Sequence, residues 1–300
     1  MRITRTDLAL ETVEDLRCGG DISRLDGVAV AEYTRQGYGV TDVRVTGPQG
    51  AEALGKPEGR YLTIDLRPYF RREEQFFRRA VECLACELRA LLPGTGEDYP
   101  VLVAGLGNRG MTADAVGPLA LESLLVTRHM VRALPRQFRG FTPVSALAPG
   151  VLAATGMETL ELLRGAVQAT GSAAVIAIDA LASRRVGRVC AAVQLSDTGI
   201  IPGSGVGNHR SALNQETLGV PVFAIGVPTV VDSATLAADL LEESGIRDYD
   251  GEALQKSRQN LMVTPRDIDQ QVRDLSKVVG YGINWALQDL EIEEINALLS

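Results

Sequence analysis

An α/β fold, with a mostly parallel sheet and helices on both faces, is predicted by two observations. First, short apolar runs recur, VLVAG at Val101–Gly105 and AAVIAID at Ala173–Asp179, closed by a glycine and an aspartate, and PVFAIGV at Pro221–Val227. Strands buried on both faces read this way. Second, the stretches between them carry apolar residues at helical spacing, and strand–helix alternation of this length gives parallel pairing with right-handed crossovers.

Taken in order, residues 1–20 mix Arg, Thr, Asp and Leu without firm period, which predicts a mobile start or a removable leader. GVAVAEYT, YGVTDVRVT and RYLTIDL, separated by TGPQG and GKPEG, predict a β-rich subregion over 27–66. A helix is expected from Pro68 to Leu92, where Phe77, Ala80, Val81, Leu84, Leu88 and Leu91 recur. The strand at Val101–Ala104 breaks into Gly105, Gly107 and Gly110, and a helix is expected from Asp114, as its N-cap, to about Arg128. Strands are expected at Gly140–Leu147 and Arg188–Leu195, with a helix at Met157–Ala169 between the first of these and the Asp179 strand. A polar, glycine-rich loop, SDTGIIPGSGVGNHRSALN, precedes a third buried strand, a turn and a helix capped by Asp232. TPRDIDQQVRDLSKVVGYGINWALQ is an amphipathic helix, and LEIEEINALLS a short one. The whole, 1–300, reads as one α/β domain.

Composition narrows the function. A net charge of −8 with no basic tract argues against nucleic-acid binding. The first residues are charged throughout and no apolar run approaches the ~20 residues of a membrane helix, so neither a signal peptide nor a membrane partner is expected. Four cysteines do not make a disulfide framework. Cys83 and Cys86 form a CxxC inside a helical pattern with no second pair or nearby His, so packed thiols are expected there rather than a metal.

Three chemistries compete. Gly105-Leu-Gly-Asn-Arg-Gly110 matches the GxGxxG dinucleotide fingerprint, but the helix is expected to open several residues too late, and the second-strand acid that binds ribose is missing. A nucleophile elbow of GxSxG type is absent, and only His129 and His209 offer an imidazole; His209, in the glycine-rich loop, is the one able to reach a crevice as ligand or proton carrier. The third is a pair of carboxylates, Asp114 and Asp179, each just past a buried strand on the same side of the sheet. Brought together, they cannot both ionise easily, which yields an acid and a base. Helix capping and a loop hydrogen bond are the structural alternatives for these two residues.

GLGNRGMTADAVGP, LAPGVLAATGMET, VIAIDALASRR, VQLSDTGIIPGSGVGNHRSALNQETLGVPVFAIGVPTVVD and LMVTPRDID, in this order between about Arg5 and Gln288, resemble the germination proteases of endospore-forming bacteria. The resemblance implies the fold of hydrogenase maturation proteases and an endopeptidase acting on small acid-soluble spore proteins in the cytoplasm of the spore core. It implies an aspartic mechanism through Asp114 and Asp179, no cofactor and a homotetramer. It also implies a zymogen cut between Asp7 and Leu8, in TDLA, which would make residues 1–7 a propeptide. An acidic residue before the cut calls for a basic contact, for which Arg109, Arg184, Arg185 and Arg210, with His209 nearby, are the candidates. Ala113 stands where the family is expected to carry proline, and the connector Ile246–Asn260 is shorter than in its longer members. The alternative with the same carboxylates is a metal-dependent maturation-type endopeptidase, with His209 as a possible ligand.

Overall fold

The computed structural model describes residues 6–19, 26–203, 210–246, 248–250, 253–254 and 261–299. In chain order these form α1 (Ala9–Gly19), β1 (Val28–Arg35), β2 (Tyr38–Val45), α2 (Pro48–Leu54), β3 (Gly59–Asp65), α3 (Phe76–Leu91), β4 (Val101–Gly105), α4 (Val116–Leu121) and α5 (Arg128–Ala133). There follow β5 (Val144–Leu147), α6 (Leu152–Thr155), α7 (Thr159–Thr170), β6 (Ala174–Ser183), β7 (Ala192–Ser196), α8 (Gln215–Leu218), β8 (Val222–Asp232), α9 (Ser233–Glu243), β9 (Met262–Val263), α10 (Ile268–Gln288) and α11 (Ile292–Leu299).

The α/β class holds, and the sheet is mixed. Its order is β1-β2-β3-β7-β8-β6-β4-β5, with β9 on β8. The run β5-β4-β6-β8 is parallel; the flank from β8 out to β1 is antiparallel. The β-rich stretch expected over 27–66 is therefore the outer flank of the same sheet, joined through β3 to β7. Its edge strand β1 is largely exposed, as an edge with one covered face should be.

Alternation along the central strands sorts their side chains onto two faces. Val101, Val103, Ile176 and Ile178 meet Leu84 and Leu88 of α3 and Val279 and Ile283 of α10. Leu102, Ala104, Val175 and Ala177 meet Leu163 and Val167 of α7 on the other. Cys83 is a free thiol buried in the first of these layers, and Cys86 lies beside it half-buried.

Several expected elements change. The start of the chain is not loose from residue 6 on: Leu8, Ala9 and Val13 have no exposed surface, and α1 packs on β2 and β3. The helix expected from Pro68 begins only at Phe76, because Arg72 and Gln75 take left-handed backbone conformations that end the preceding 3-10 turn, Arg67–Arg71. The helix expected from Asp114 to Arg128 starts at Val116 and stops at Leu121. Beyond it, the Asn284 side chain of α10 takes the place of helical partners. Its Oδ1 accepts the Leu125 amide at 2.8 Å and its Nδ2 donates to the Ser123 carbonyl at 2.8 Å. The strands expected at Gly140–Leu147 and Arg188–Leu195 begin four residues later, as Val144–Leu147 and Ala192–Ser196. No turn separates the third buried strand from its helix: β8 runs straight to Asp232, whose carboxylate caps α9 through the Ala234 and Thr235 amides.

Candidate active site

β4 and β6 lie side by side and parallel, with Gly105 opposite Ile178. Their carboxyl ends open on the same side of the sheet, the position of ligand crevices in open α/β sheets. Asp179 is the next β6 residue, 5% exposed, and its Oδ1 accepts the Ala180 amide at 3.0 Å.

The chain leaving β4 turns through Gly107, whose φ of +105° suits glycine alone. A β-carbon there would stand 2.1 Å from the Asp114 carbonyl oxygen, so the turn and the Asp114 segment close directly on one another. The Asn108 amide donates to both the carbonyl oxygen and the Oδ2 of Asp114, each at 2.9 Å. From the other side, Thr229 Oγ1 of β8 donates to the Ala113 carbonyl at 2.6 Å. Asp114 thus ends a 3-10 turn, Thr112–Asp114, and is not the expected N-cap; Ala115 holds that place before α4 with no side-chain bond. The glycines of GLGNRG fold back onto Asp114.

Both aspartates line one cavity of about 460 Å³, with Arg210, Met111, Val151, Pro202, Met262 and Thr264 also on its wall. Burial pushes the Asp179 carboxyl up to about 8, helped by the negative charge of Asp114 and, less, by that of Asp7. Burial also raises Asp114, but the Asn108 amide and the Arg210 guanidinium act against the rise. At neutral pH the cavity therefore presents a protonated Asp179 beside an Asp114 whose ionised form has a hydrogen-bond donor and a cation in its favour.

The wall also includes Asp7. Its amide donates to the Ala182 carbonyl at 3.0 Å, and its Oδ2 accepts the Ala182 amide at 2.8 Å, beside a register shift between Leu181 and Ala182 in the β6–β8 pairing. The Asp7 carbonyl oxygen accepts Lys56 Nζ at 2.8 Å and Gln194 Nε2 at 3.2 Å, while Gln194 Oε1 accepts the Ala9 amide at 2.7 Å. The junction in the stretch expected to be mobile is buried: Asp7 is 9% exposed and Leu8 not at all.

The basic candidates separate. Arg210 lines the cavity. Arg109 is exposed, pairs with Glu122 and is not part of the wall. Arg184 pairs with Asp15 and Glu242, tying α1 and α9 to the end of β6, and Arg185 pairs with Asp239 and Glu242, both of α9. His209 lies outside the described residues. Among those described, no three His, Cys, Asp or Glu side chains are grouped to hold a metal, and no helix is long and apolar enough to cross a membrane. Lys56, Gln194 and Thr229 escaped sequence reading: one sits in a turn, and two lie inside strands with no motif around them.

The chain resembles known proteins over nearly its whole length. A family model described as germination protease matches residues 6–244. The germination protease of Clostridium perfringens is 39% identical across 99% of both chains. That of Caldanaerobacter subterraneus subsp. tengcongensis is 40% identical across 98% of both, and that of Bacillus subtilis 36% identical across 97% of this chain and 95% of its own. Among solved structures, the NiFe hydrogenase maturation protease HycI from Thermococcus kodakarensis KOD1 is similar over 66% of this chain and 99% of its own, at 16% identity and a TM-score of 0.36. With a family match over most of its length and full-length relatives at this identity, the chain is a peptidase and belongs to the germination protease family.

Proposed function

We propose that this peptidase opens the degradation of small acid-soluble spore proteins by hydrolysing internal peptide bonds, with a water molecule activated between Asp114 and Asp179. The reading is supported most by one observation: Asp7, bonded through its amide and its carboxylate to Ala182 of β6, lines the same cavity as both carboxylates. In the proposed step, ionised Asp114 takes a proton from water as its oxygen attacks the carbonyl carbon. Protonated Asp179 gives its proton to the leaving amine as the carbon–nitrogen bond breaks. The proton taken by Asp114 then passes to Asp179, which returns the pair to its starting state.

The same geometry supports self-processing between Asp7 and Leu8, with residues 1–7 as the propeptide of a one-domain zymogen. Purified full-length protein should acquire a new Leu8 N-terminus on incubation at mildly acidic pH, read by N-terminal sequencing. Asp114→Asn and Asp179→Asn should both keep Met1 while folding normally; processing at the wild-type rate in either variant would refute the mechanism. Family resemblance supports a homotetramer in the spore core, which sedimentation of the purified chain and fractionation of spores test.

A further inference from the structure

Asp7, on the cavity wall, carries two donors on its carbonyl oxygen that the aspartate pair leaves unexplained, Lys56 and Gln194. Lys56 follows Gly55, the left-handed cap of α2, and its own amide closes that cap on the Ala51 carbonyl at 3.1 Å. On its other side, the Pro57 carbonyl accepts the Tyr61 hydroxyl at 2.9 Å. The turn is held from both ends, and it sends a half-buried ammonium to the carbonyl oxygen of residue 7. Burial lowers the Lys56 pKa, and the Asp7 charge acts against that fall.

Gln194 is 8% exposed on β7 and reaches the same oxygen from the sheet. Its side chain spans the chain from the carbonyl of residue 7 to the amide of residue 9, which fixes the position of these residues against β7. One peptide carbonyl therefore receives two side-chain donors, a half-buried cation and a buried amide. Oxyanion-binding sites in acyl transfer are built this way, with donors about 3 Å from the oxygen that becomes negative.

Resting on the reading that the bond from residue 7 to residue 8 is the one cut, we propose that Lys56 and Gln194 hold and polarise its carbonyl oxygen, and so are catalytic residues alongside the two aspartates. The division of labour follows from the geometry. Lys56 and Gln194 meet charge growing on the carbonyl oxygen, while Asp114 and Asp179 move the protons of water and leaving amine.

The test is the rate constant of self-processing in the full chain. Because the junction is tethered, that constant reports the step after binding. Lys56→Met and Gln194→Leu should each slow it by about a hundredfold, the usual loss for one oxyanion donor. Lys56→Arg, which keeps a cationic donor on a similar stem, should recover much of the rate; a structural role in packing would not distinguish the two replacements so sharply. Processing by both Lys56→Met and Gln194→Leu at the wild-type rate overturns the proposal.

A second arm stands apart from cleavage. In full-length Asp179→Asn protein, the ¹³C resonance of the residue-7 carbonyl should move when Lys56→Met or Gln194→Leu is added. An unmoved resonance overturns the proposal even where a variant processes slowly. Wild-type chain that never cuts at Leu8 removes the underlying reading instead, and the carbonyl resonance still reports whether the two donors grip that oxygen.

Discussion

The Asp7 carboxylate accepts the Ala182 amide hydrogen at 2.8 Å while the Asp7 amide donates to the Ala182 carbonyl at 3.0 Å. The residue ahead of α1 is thereby laid along β6 a little beyond Asp179, and its charge adds to those that keep Asp179 protonated. Asp7→Asn removes that charge and leaves a side-chain oxygen to accept from Ala182. The Asp179 pKa should fall from about 8, since less negative charge nearby favours the carboxylate. A carboxyl ¹³C titration of full-length protein reads the shift, and an Asp179 resonance that titrates identically in both proteins would contradict the placement of Asp7.

The same raised pKa makes stability depend on pH with a definite sign. Folded Asp179 keeps its proton up to about 8, whereas an unfolded aspartate releases it near the ordinary value of 3.8. Between these limits the folded state binds the extra proton. The contribution is complete below the unfolded value and disappears as pH rises through the folded one. The slope of this single group approaches about 1.4 kcal/mol per pH unit. Asp179→Asn cannot ionise, so it should gain stability relative to wild type as pH is raised from about 5 to about 8 in denaturant titrations. A pH-independent difference between the two proteins would exclude Asp179 as the buried titrating group.

What sequence could and could not disclose follows from which assumption each element obeys. β4, β6 and β8 are covered on both faces, so unbroken apolar runs identify them, and strand ends in a parallel run locate Asp114 and Asp179. α1 breaks the usual pattern because Glu11, a charged residue in a stretch without clear period, has no exposed area. Its carboxylate accepts the Arg184 and Arg185 amides at 2.7 and 2.9 Å and the Ser183 hydroxyl at 2.9 Å. A polar residue satisfied by main-chain donors far along the chain leaves no local signature. Lys56 and Gln194 were hidden for a related reason: their partner is a backbone carbonyl, which every residue carries.

Arg184 gives the sharpest test of how α1 is held. Its side chain is 4% exposed and bridges Asp15 of α1, 11% exposed, to Glu242 of α9, 18% exposed. Arg184→Met keeps the length and removes the charge, leaving Asp15 buried without its cation and Glu242 with Arg185 alone. Losing one partner of a buried ionic group costs about 3–5 kcal/mol. Denaturant unfolding should show a loss of that order, and protease sensitivity should rise first within α1. A variant as stable as wild type would mean that the two acids find water or other donors.

The turn at GLGNRG yields a final prediction, because its glycines differ in what they do. Gly107 has a φ of +105° and no space for a β-carbon, which would sit 2.1 Å from the Asp114 carbonyl oxygen and 2.9 Å from Asp114 Oδ1. Gly110 has neither restriction: its nearest neighbour for a β-carbon is the Asn108 side-chain oxygen, at 3.2 Å. If the loop exists to present Asp114, Gly107→Ala should displace the carboxylate and cut peptidase activity by at least about a hundredfold, the loss that accompanies misplacement on the order of 1 Å. Gly110→Ala should retain activity within a small factor. A phosphate cradle predicts a different pattern, since both glycines would then matter for close approach to a ligand. Assaying the two variants for peptide cleavage, with circular dichroism to confirm folding, separates these roles: equal losses would argue against a loop built around Asp114.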